Sequence, residues 1–208
     1  MDTMKDPSYL YSGFDEMYGF DGQMARPQYA EVVRQLASLP NDVLVHKQRD
    51  AELLFRRMGI TFAVYGANSS EERLIPFDVV PRVFGANEWR RLELGLKQRV
   101  RALNMFLHDI YHEQEIIKAG VIPASQMLGN SMYCAAMQGV DLPNQVYAQI
   151  AGIDLVRVAE NDFYVLEDNL RTPSGVSYML ENRNTMMRLF PNMFTQRTIQ
   201  PVAHYPQI

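Results

Sequence analysis

The stretch that most constrains the fold is Ala151–Tyr178, which contains two short apolar runs, Ile153–Val158 and Phe163–Leu166. Four turn-forming residues, Ala159–Asp162, separate the two runs. Two β-type runs joined by such a turn predict a β-hairpin. Because the strands of a hairpin are antiparallel, the beginning of the first strand should lie beside the end of the second.

Three oxygen-bearing side chains lie at the open end of this predicted hairpin. Asp154 is early on the first strand, and Glu167 and Asn169 end the second. Side chains two residues apart on a strand point to the same face, so Glu167 and Asn169 converge, and antiparallel pairing can bring Asp154 opposite them. Two carboxylates and an amide oxygen suit Mg²⁺, which takes few protein ligands and fills its shell with water and phosphate oxygens. These three residues are therefore a candidate metal site, and the alternative is that Glu167 and Asp168 simply end the strand while Asn169 turns the chain.

The sequence that follows the hairpin predicts an anion site. Arg171 comes first, and a Thr-Pro-Ser-Gly turn then leads into a helical run, Val176–Phe190. Ser174 is a plausible N-cap for that helix, and a helix N-terminus favours anions. Arginine also suits phosphate and carboxylate groups. Arg171, Ser174 and Gly175 are therefore candidates for binding phosphate or substrate.

The hairpin motif resembles a known family. The string GIDL…FYVLEDNLRTPSGVS resembles the magnesium-binding hairpin of ATP-grasp ligases, in which Asp154 and Glu167, 13 positions apart, match the family spacing. The longer string LEDNLRTPSGVSYMLENR is similar to one branch, the circularly permuted (type 2) ATP-grasp proteins related to glutathionylspermidine synthase. The upstream strings MGITFAVYG, ERLIPFDVVPR and LKQRVRALNMFLHDIYHEQ extend the resemblance over nearly the whole chain.

The resemblance implies an ATP-dependent ligase that joins a carboxylate to an amine through an acyl phosphate. It implies ATP and Mg²⁺ as cofactors, with Asp154, Glu167 and Asn169 holding the metal and Arg171 as a catalytic candidate. The implied fold class is mixed α/β (α+β): a partial ATP-grasp-like fold with an antiparallel magnesium-binding hairpin packed by helices. Many ligases of the wider superfamily carry an arginine two residues before the first aspartate. Gly152 stands there in this chain, which leaves the oxyanion-stabilising cation unassigned.

An ATP-grasp site also uses lysines on a second lobe to hold the nucleotide phosphates. This chain has four lysines, and none lies on a predicted strand beside a glycine-rich loop. In the permuted family that lobe follows the magnesium hairpin. We therefore expect the chain to be a truncated, N-terminal portion of such a ligase, inactive alone and completed by a partner lobe or subunit. The alternative is a non-catalytic interaction module or a truncated remnant that needs a partner lobe.

The rest of the chain predicts a mixed arrangement of helices and strands. We divide it into an N-terminal arm (1–26), an N-terminal α/β segment (27–145), and the ATP-grasp hairpin and helix segment (146–208), which is incomplete at its C-terminus. Periodicity and turn residues predict the following elements: a helix opened by Pro27, a helix capped by Asn41 or Asp42, a strand Ile60–Tyr65, a polar turn Gly66–Arg73, a helix Asn87–Ala119, and a strand Val146–Ala151.

Composition narrows the class of partner. Charged residues make up 21% of the chain, the net charge is −4, and no like-charge run reaches five residues. This argues against nucleic acid or a membrane as the main partner. The single cysteine, Cys134, excludes an internal disulfide and fits a reducing compartment. We expect Cys134 to be a buried small residue. With no apolar leader or membrane-length run visible, the expected location is cytoplasmic.

Other side chains suggest weaker candidates. His108 and His112 share a helical face and are spaced like zinc ligands, but Asp109 replaces the glutamate of the protease motif and no third ligand follows. We expect a hydrogen-bonded pair there. Arg157 and Arg183 are further anion-binding candidates. Arg157 should face away from Asp154, since their separation along the strand is odd.

Overall fold

The computed structural model describes residues 14–20, 22–66, 69–195 and 198–207. Its α-helices are α1 (Ala30–Ala37), α2 (Asn41–Met58), α3 (Ala86–Tyr111), α4 (Glu115–Lys118), α5 (Ala124–Met127), α6 (Gly175–Leu189) and α7 (Pro191–Thr195). Its strands are β1 (Thr61–Gly66), β2 (Ser69–Leu74), β3 (Gly152–Arg157) and β4 (Phe163–Asn169), which form two separate two-stranded sheets. The predicted mixture of helix and sheet is confirmed.

The chain divides into two units, which are described separately. The first contains the described residues up to Gly85, the segment Arg157–Tyr164, and the described residues after Pro173. Its core is formed by α1, α2, α6 and α7. The buried members of that core are Tyr29, Val32, Ala51, Phe55, Phe77, Met186, Leu189, Phe190 and Met193. The second unit contains Ala86–Val156 and Val165–Pro173.

The sequence predicts the C-terminal end of α2 correctly but not its N-terminal cap. Gly59 ends the helix in a left-handed conformation (φ 67°, ψ 30°), which glycine adopts without steric cost. The predicted cap by Asn41 or Asp42 is wrong. The helix begins at Asn41 itself, with Pro40 at the N-cap position and no side-chain capping bond.

The polar turn predicted over Gly66–Arg73 is also wrong. Ser69–Leu74 forms β2, which pairs with β1 in antiparallel register, with Thr61 opposite Leu74. The segment is rich in serine and glutamate and carries no apolar alternation. Its conformation follows from pairing with a β-prone neighbour, a contribution that strand propensity alone does not reveal.

In the second unit, the long helix is shorter than its periodicity predicts. Gln114 adopts a left-handed conformation (φ 57°), and the Asp109 carboxylate accepts the backbone N–H groups of Glu115 (2.8 Å) and Ile116 (3.0 Å). Asp109 therefore supports the start of α4, and the helical run predicted to reach Ala119 is divided in two.

Two further expectations fail in the loop region of this unit. Val146–Ala151 forms no strand, because the backbone N–H groups of Tyr147 and Ala148 donate to the Asn104 side chain instead of to a neighbouring strand. Cys134 is exposed rather than buried. Within the described part of the chain, no helix combines the length and the apolar character needed to cross a membrane.

Candidate functional site

The predicted hairpin is present as β3 and β4. At its closed end, the Val158 N–H donates to the Asp162 carbonyl at 3.0 Å, and the Asp162 N–H donates to the Ala159 carbonyl at 3.4 Å. These bonds fix the turn that the sequence predicted. The open end of the hairpin, formed by Gly152–Val156 and Val165–Asn169, lies entirely in the second unit.

The three predicted metal ligands share one face of this open end. The Asn169 Nδ2 group donates to Glu167 Oε1 at 2.8 Å, so these two side chains meet. A β-carbon built at Gly152 would lie 3.4 Å from the β-carbon of Asn169, which makes these positions neighbours across the hairpin. Asp154 is two residues after Gly152 and therefore faces the same way. Asp154, Glu167 and Asn169 are all exposed to solvent.

This donor set fits Mg²⁺. The bond from Asn169 Nδ2 to Glu167 identifies the amide nitrogen and leaves the amide oxygen available as an acceptor. Two carboxylates and that oxygen are hard ligands on an exposed face, where water and phosphate oxygens can complete an octahedral shell.

The alternation of exposed and partly buried side chains along β4 is interrupted within the site. Residues 163–166 alternate with the even positions exposed, and residues 167–169 alternate with the odd positions exposed. β4 therefore does not keep one regular two-residue period of exposure along its length. As a result, Leu166 and Glu167 are both exposed.

Gly152 is a point of close approach. A β-carbon there would lie 2.8 Å from the Pro173 β-carbon, a ring atom that cannot rotate away. The position that carries arginine in many ligases of the wider superfamily therefore has no room for a side chain in this protein. Gly152 therefore departs from that superfamily pattern for a steric reason.

Asp168, between the two candidate ligands of β4, points away from them and is held by α3. Arg99 Nε donates to Asp168 Oδ1 at 2.8 Å, and Arg99 Nη2 donates to Oδ2 at 2.6 Å. This bidentate geometry fixes the planes of both groups. The hydrogen bond from Arg99 lowers the pKa of Asp168, and the Asp168 carboxylate raises the pKa of Arg99.

The same helix holds the segment that leads into β3. Asn104 Oδ1 accepts the backbone N–H groups of Tyr147 (2.7 Å) and Ala148 (2.9 Å), and Asn104 Nδ2 donates to the Ala148 carbonyl at 3.3 Å. Ala148 is buried. α3 thus contacts the chain on both sides of the open end of the hairpin.

The Arg99–Asp168 pair predicts a specific pH dependence of stability. Because the pKa of Asp168 is lowered in the folded state, the unfolded chain takes up this proton first as the pH falls. The stabilisation is present above the ordinary aspartate pKa of about 3.9 and is lost as the pH falls through the lower folded-state value. We expect urea denaturation from about pH 5 down to pH 2 to show a steeper loss of stability in wild type than in Asp168→Asn. Parallel curves for the two proteins would contradict the assignment.

The phosphate candidates belong to different units. Arg171 belongs to the second unit, is exposed, and places Nη1 3.8 Å from the Met132 sulfur. Ser174 and Gly175 belong to the first unit. Ser174 occupies the N-cap position of α6, as predicted, but its side chain makes no capping bond. Its carbonyl instead accepts from the Ser177 hydroxyl at 2.8 Å.

The other arginine candidates have structural contacts. The Arg157 side chain is fully buried in the first unit, whereas Asp154 is exposed, in agreement with the predicted opposite orientation. Arg183 Nη1 donates to the Gln200 carbonyl at 3.3 Å, and the Arg183 guanidinium lies 5.7 Å from the centre of the Phe194 ring.

The two histidines form a stacked, hydrogen-bonded pair. Their ring centroids are 4.1 Å apart, and both Nδ1 atoms approach the Tyr147 hydroxyl, at 3.2 Å for His108 and 3.4 Å for His112. Over the ranges that the structure describes, no three His, Cys, Asp or Glu side chains form a group able to hold a metal ion. His108 and His112 are thus the hydrogen-bonded pair that the sequence predicted.

Sequence reasoning missed Arg99, Asn104 and Asp168. Arg99 and Asn104 are polar residues on an amphipathic helix, where most such residues are solvated. The one sequence signal was the position of Asp168 between two candidate ligands, with a side chain that must point to the other face.

Comparison with known proteins places the chain in a family. A family model described as a circularly permuted ATP-grasp matches residues 81–208. That range contains all the candidate site residues. The match therefore agrees with the resemblance that the hairpin motif indicated.

Several curated relatives are longer than this chain. An uncharacterised protein of Synechocystis is 42% identical over 201 residues, covering 97% of this chain and 41% of its own length. An uncharacterised protein of Mycobacterium leprae is 46% identical over 202 residues, covering 95% of this chain and 35% of its own length. A Frankia casuarinae protein named "Putative glutamate--cysteine ligase 2-2" is 38% identical over 185 residues, covering 89% of this chain and 21% of its own length. The chain belongs to the circularly permuted ATP-grasp family.

Proposed function

We propose that this chain supplies the metal-binding hairpin of an ATP-dependent ligase that joins a carboxylate to an amine. The observation that carries the proposal is the exposed face of the open hairpin end, where Asn169 donates to Glu167 and Asp154 faces the same way. Family membership supports ATP as the nucleotide and Mg²⁺ as the metal.

In this proposal the three oxygen ligands divide the work of phosphate positioning. Asp154 and Glu167 supply the negative charge that attracts the cation, and Asn169 supplies a neutral oxygen whose direction is fixed by its bond to Glu167. When bound, Mg²⁺ would neutralise charge on the nucleotide phosphates during transfer to the carboxylate. Arg171 is placed two residues beyond the ligands, where its exposed guanidinium would contact phosphate or the acyl phosphate formed from the substrate carboxylate.

The remaining parts of the site are proposed to lie on another segment. The lysines that would hold the nucleotide phosphates are assigned to a partner lobe or subunit, since the relatives named above are longer than this chain. The name of the Frankia protein, a glutamate–cysteine ligase, supports ligation of an amine to a carboxylate as the reaction class. This chain spans only 21% of that protein. We therefore propose the substrates only by class, as a carboxylate and an amine. The likeness to glutathionylspermidine synthase and the cytoplasmic location stay predictions.

The test compares this chain with a protein extended to the length of the Synechocystis relative. Mg·ATP binding is measured by calorimetry, and phosphate release is measured with pooled carboxylates and amines. We expect Glu167→Ala to lower phosphate release in the extended protein by about a hundredfold or more, since it removes charge stabilisation at the transferred phosphate. Glu160→Ala, an exposed carboxylate in the hairpin turn, is the matched control and should be unchanged. Full activity in Glu167→Ala would contradict the proposal.

A second candidate, a non-catalytic interaction module, is favoured by a different observation. Five large apolar side chains described in the second unit are well exposed, between 62% and 69%: Leu94, Met105, Val121, Met132 and Leu166. Exposed apolar side chains that join into one contiguous patch would form a surface on which another polypeptide packs. If the extended protein binds no Mg·ATP while this chain still associates with the additional segment of the longer relatives, this function replaces the first.

A further inference from the structure

The residue that separates the two candidate ligands of β4 is anchored, and its anchor lies on a different element. Asp168 is flanked directly by Glu167 and Asn169, so any rotation of the strand about Asp168 moves both ligands together. The Asp168 side chain is 15% exposed and lies in a bidentate bond with Arg99 of α3. An exposed two-stranded hairpin end has little packing of its own to prevent such rotation.

From this arrangement we infer that Arg99 is a positioning residue of the metal site, which it serves by holding Asp168 and thereby fixing where Glu167 and Asn169 point. The inference rests on the proposed function, because it assumes that those two side chains bind a divalent cation. Arg99 touches neither the metal nor the substrate in this account.

The geometry favours positioning over a direct role for Asp168 as a ligand. Both Asp168 oxygens are engaged by Arg99, at 2.8 Å and 2.6 Å, and the side chain points to the face opposite Glu167 and Asn169. The planar fork of arginine restrains the carboxylate in two directions, whereas a lysine ammonium would restrain it only as a point charge.

A second contact supports the same role for α3. Five residues after Arg99, Asn104 holds the backbone of Tyr147 and Ala148, just before β3 begins. α3 therefore holds both the segment that leads into the strand of Asp154 and the strand of Glu167. Loss of the Arg99 bond alone should loosen the end of β4 around Asp168, while Asn104 still holds the segment before β3.

The test is Mn²⁺ binding to this chain, followed by electron paramagnetic resonance, which counts bound ions without any catalytic turnover. We expect Arg99→Met and Asp168→Asn each to weaken Mn²⁺ affinity by about tenfold, the lower end of the effects seen when groups that orient metal ligands are removed. Arg99→Lys should lie between these variants and wild type. Arg101→Met, an exposed arginine two residues along the same helix, is the matched control and should bind as wild type.

Glu167→Ala separates this inference from the proposed function. If wild type binds Mn²⁺, Glu167→Ala does not, and Arg99→Met binds as tightly as wild type, the positioning role is overturned and the metal site stands. If wild type binds no more Mn²⁺ than Glu167→Ala, the metal site and the positioning role fail together. Circular dichroism at the binding temperature checks folding, and Arg99→Lys carries the comparison if Arg99→Met is unfolded. A loss of affinity in folded Arg99→Lys then supports the inference, and wild-type affinity overturns it.

Discussion

Substitution of alanine for Gly152 should lower the free energy of unfolding by about 1 to 3 kcal/mol, the usual cost of forcing a methyl group into a filled space. A β-carbon at this position would meet the Pro173 β-carbon at 2.8 Å and the Asn169 β-carbon at 3.4 Å. Neither atom is the end of a flexible side chain. The added methyl group must therefore displace the backbone after β4.

The same displacement should weaken metal binding, because Asn169 is one of the three candidate ligands and lies at the contact. We expect Mn²⁺ affinity to fall along with the free energy of unfolding in urea denaturation. Gly95→Ala is the control: Gly95 is exposed within α3, and a β-carbon there meets nothing within 4 Å. Alanine in a helix interior should raise stability by about 0.5 to 1 kcal/mol. Equal effects at the two glycines would contradict the close approach at Gly152.

Arg157→Met should be the most destabilising change in the hairpin, by about 3 kcal/mol, since it leaves two turn carbonyls without their donors and removes a buried cation from two aromatic rings. The Arg157 side chain has no exposed surface, and Arg157 Nη1 lies 4.0 Å from a Glu16 carboxylate oxygen. The guanidinium carbon lies 4.8 Å from the centre of the Phe14 ring and 5.0 Å from that of Phe163. Nε and Nη2 donate to the carbonyls of the turn residues that follow, at Ala159 and Glu160.

Methionine keeps much of the apolar volume between the two rings, so the loss reports the charge and its hydrogen bonds rather than a cavity. Arg157→Lys keeps the charge but not the planar fork, and should lose less. Arg188→Met, at an exposed position of α6, should stay within about 0.5 kcal/mol of wild type. Denaturant unfolding measures all three. A small effect for Arg157→Met would mean that water replaces the guanidinium without cost.

The hairpin and the common face of its ligands could be predicted from sequence because both follow from local rules. Two apolar runs and a polar turn define the strands, and the two-residue period of a strand places Glu167 with Asn169. The same two-residue period places the side chains of Arg157 and Asp154 on opposite faces of the strand. None of these steps requires knowledge of what packs against the hairpin.

The features that sequence did not reveal all depend on contacts between distant segments. Arg99 is 69 positions from Asp168, and Asn104 is 43 positions from Tyr147. β2 carries polar residues and becomes a strand only by pairing with β1. Cys134 belongs to a residue type that is usually buried, yet it lies in an exposed loop. Composition and periodicity predict how a residue type usually behaves. Each of these residues behaves differently because of contacts with segments that are distant in the sequence.

The close approach of Gly152 and Pro173 also means that the residues allowed at one position depend on the residue at the other. A descendant that gained any side chain at position 152, including the arginine of the wider superfamily, would first need to lose the proline ring at position 173. A side chain at position 152 has a cost while the proline ring is present, and a different residue at position 173 would relieve that contact. We therefore expect homologous sequences to vary at these positions as a pair, with glycine retained wherever the proline is present.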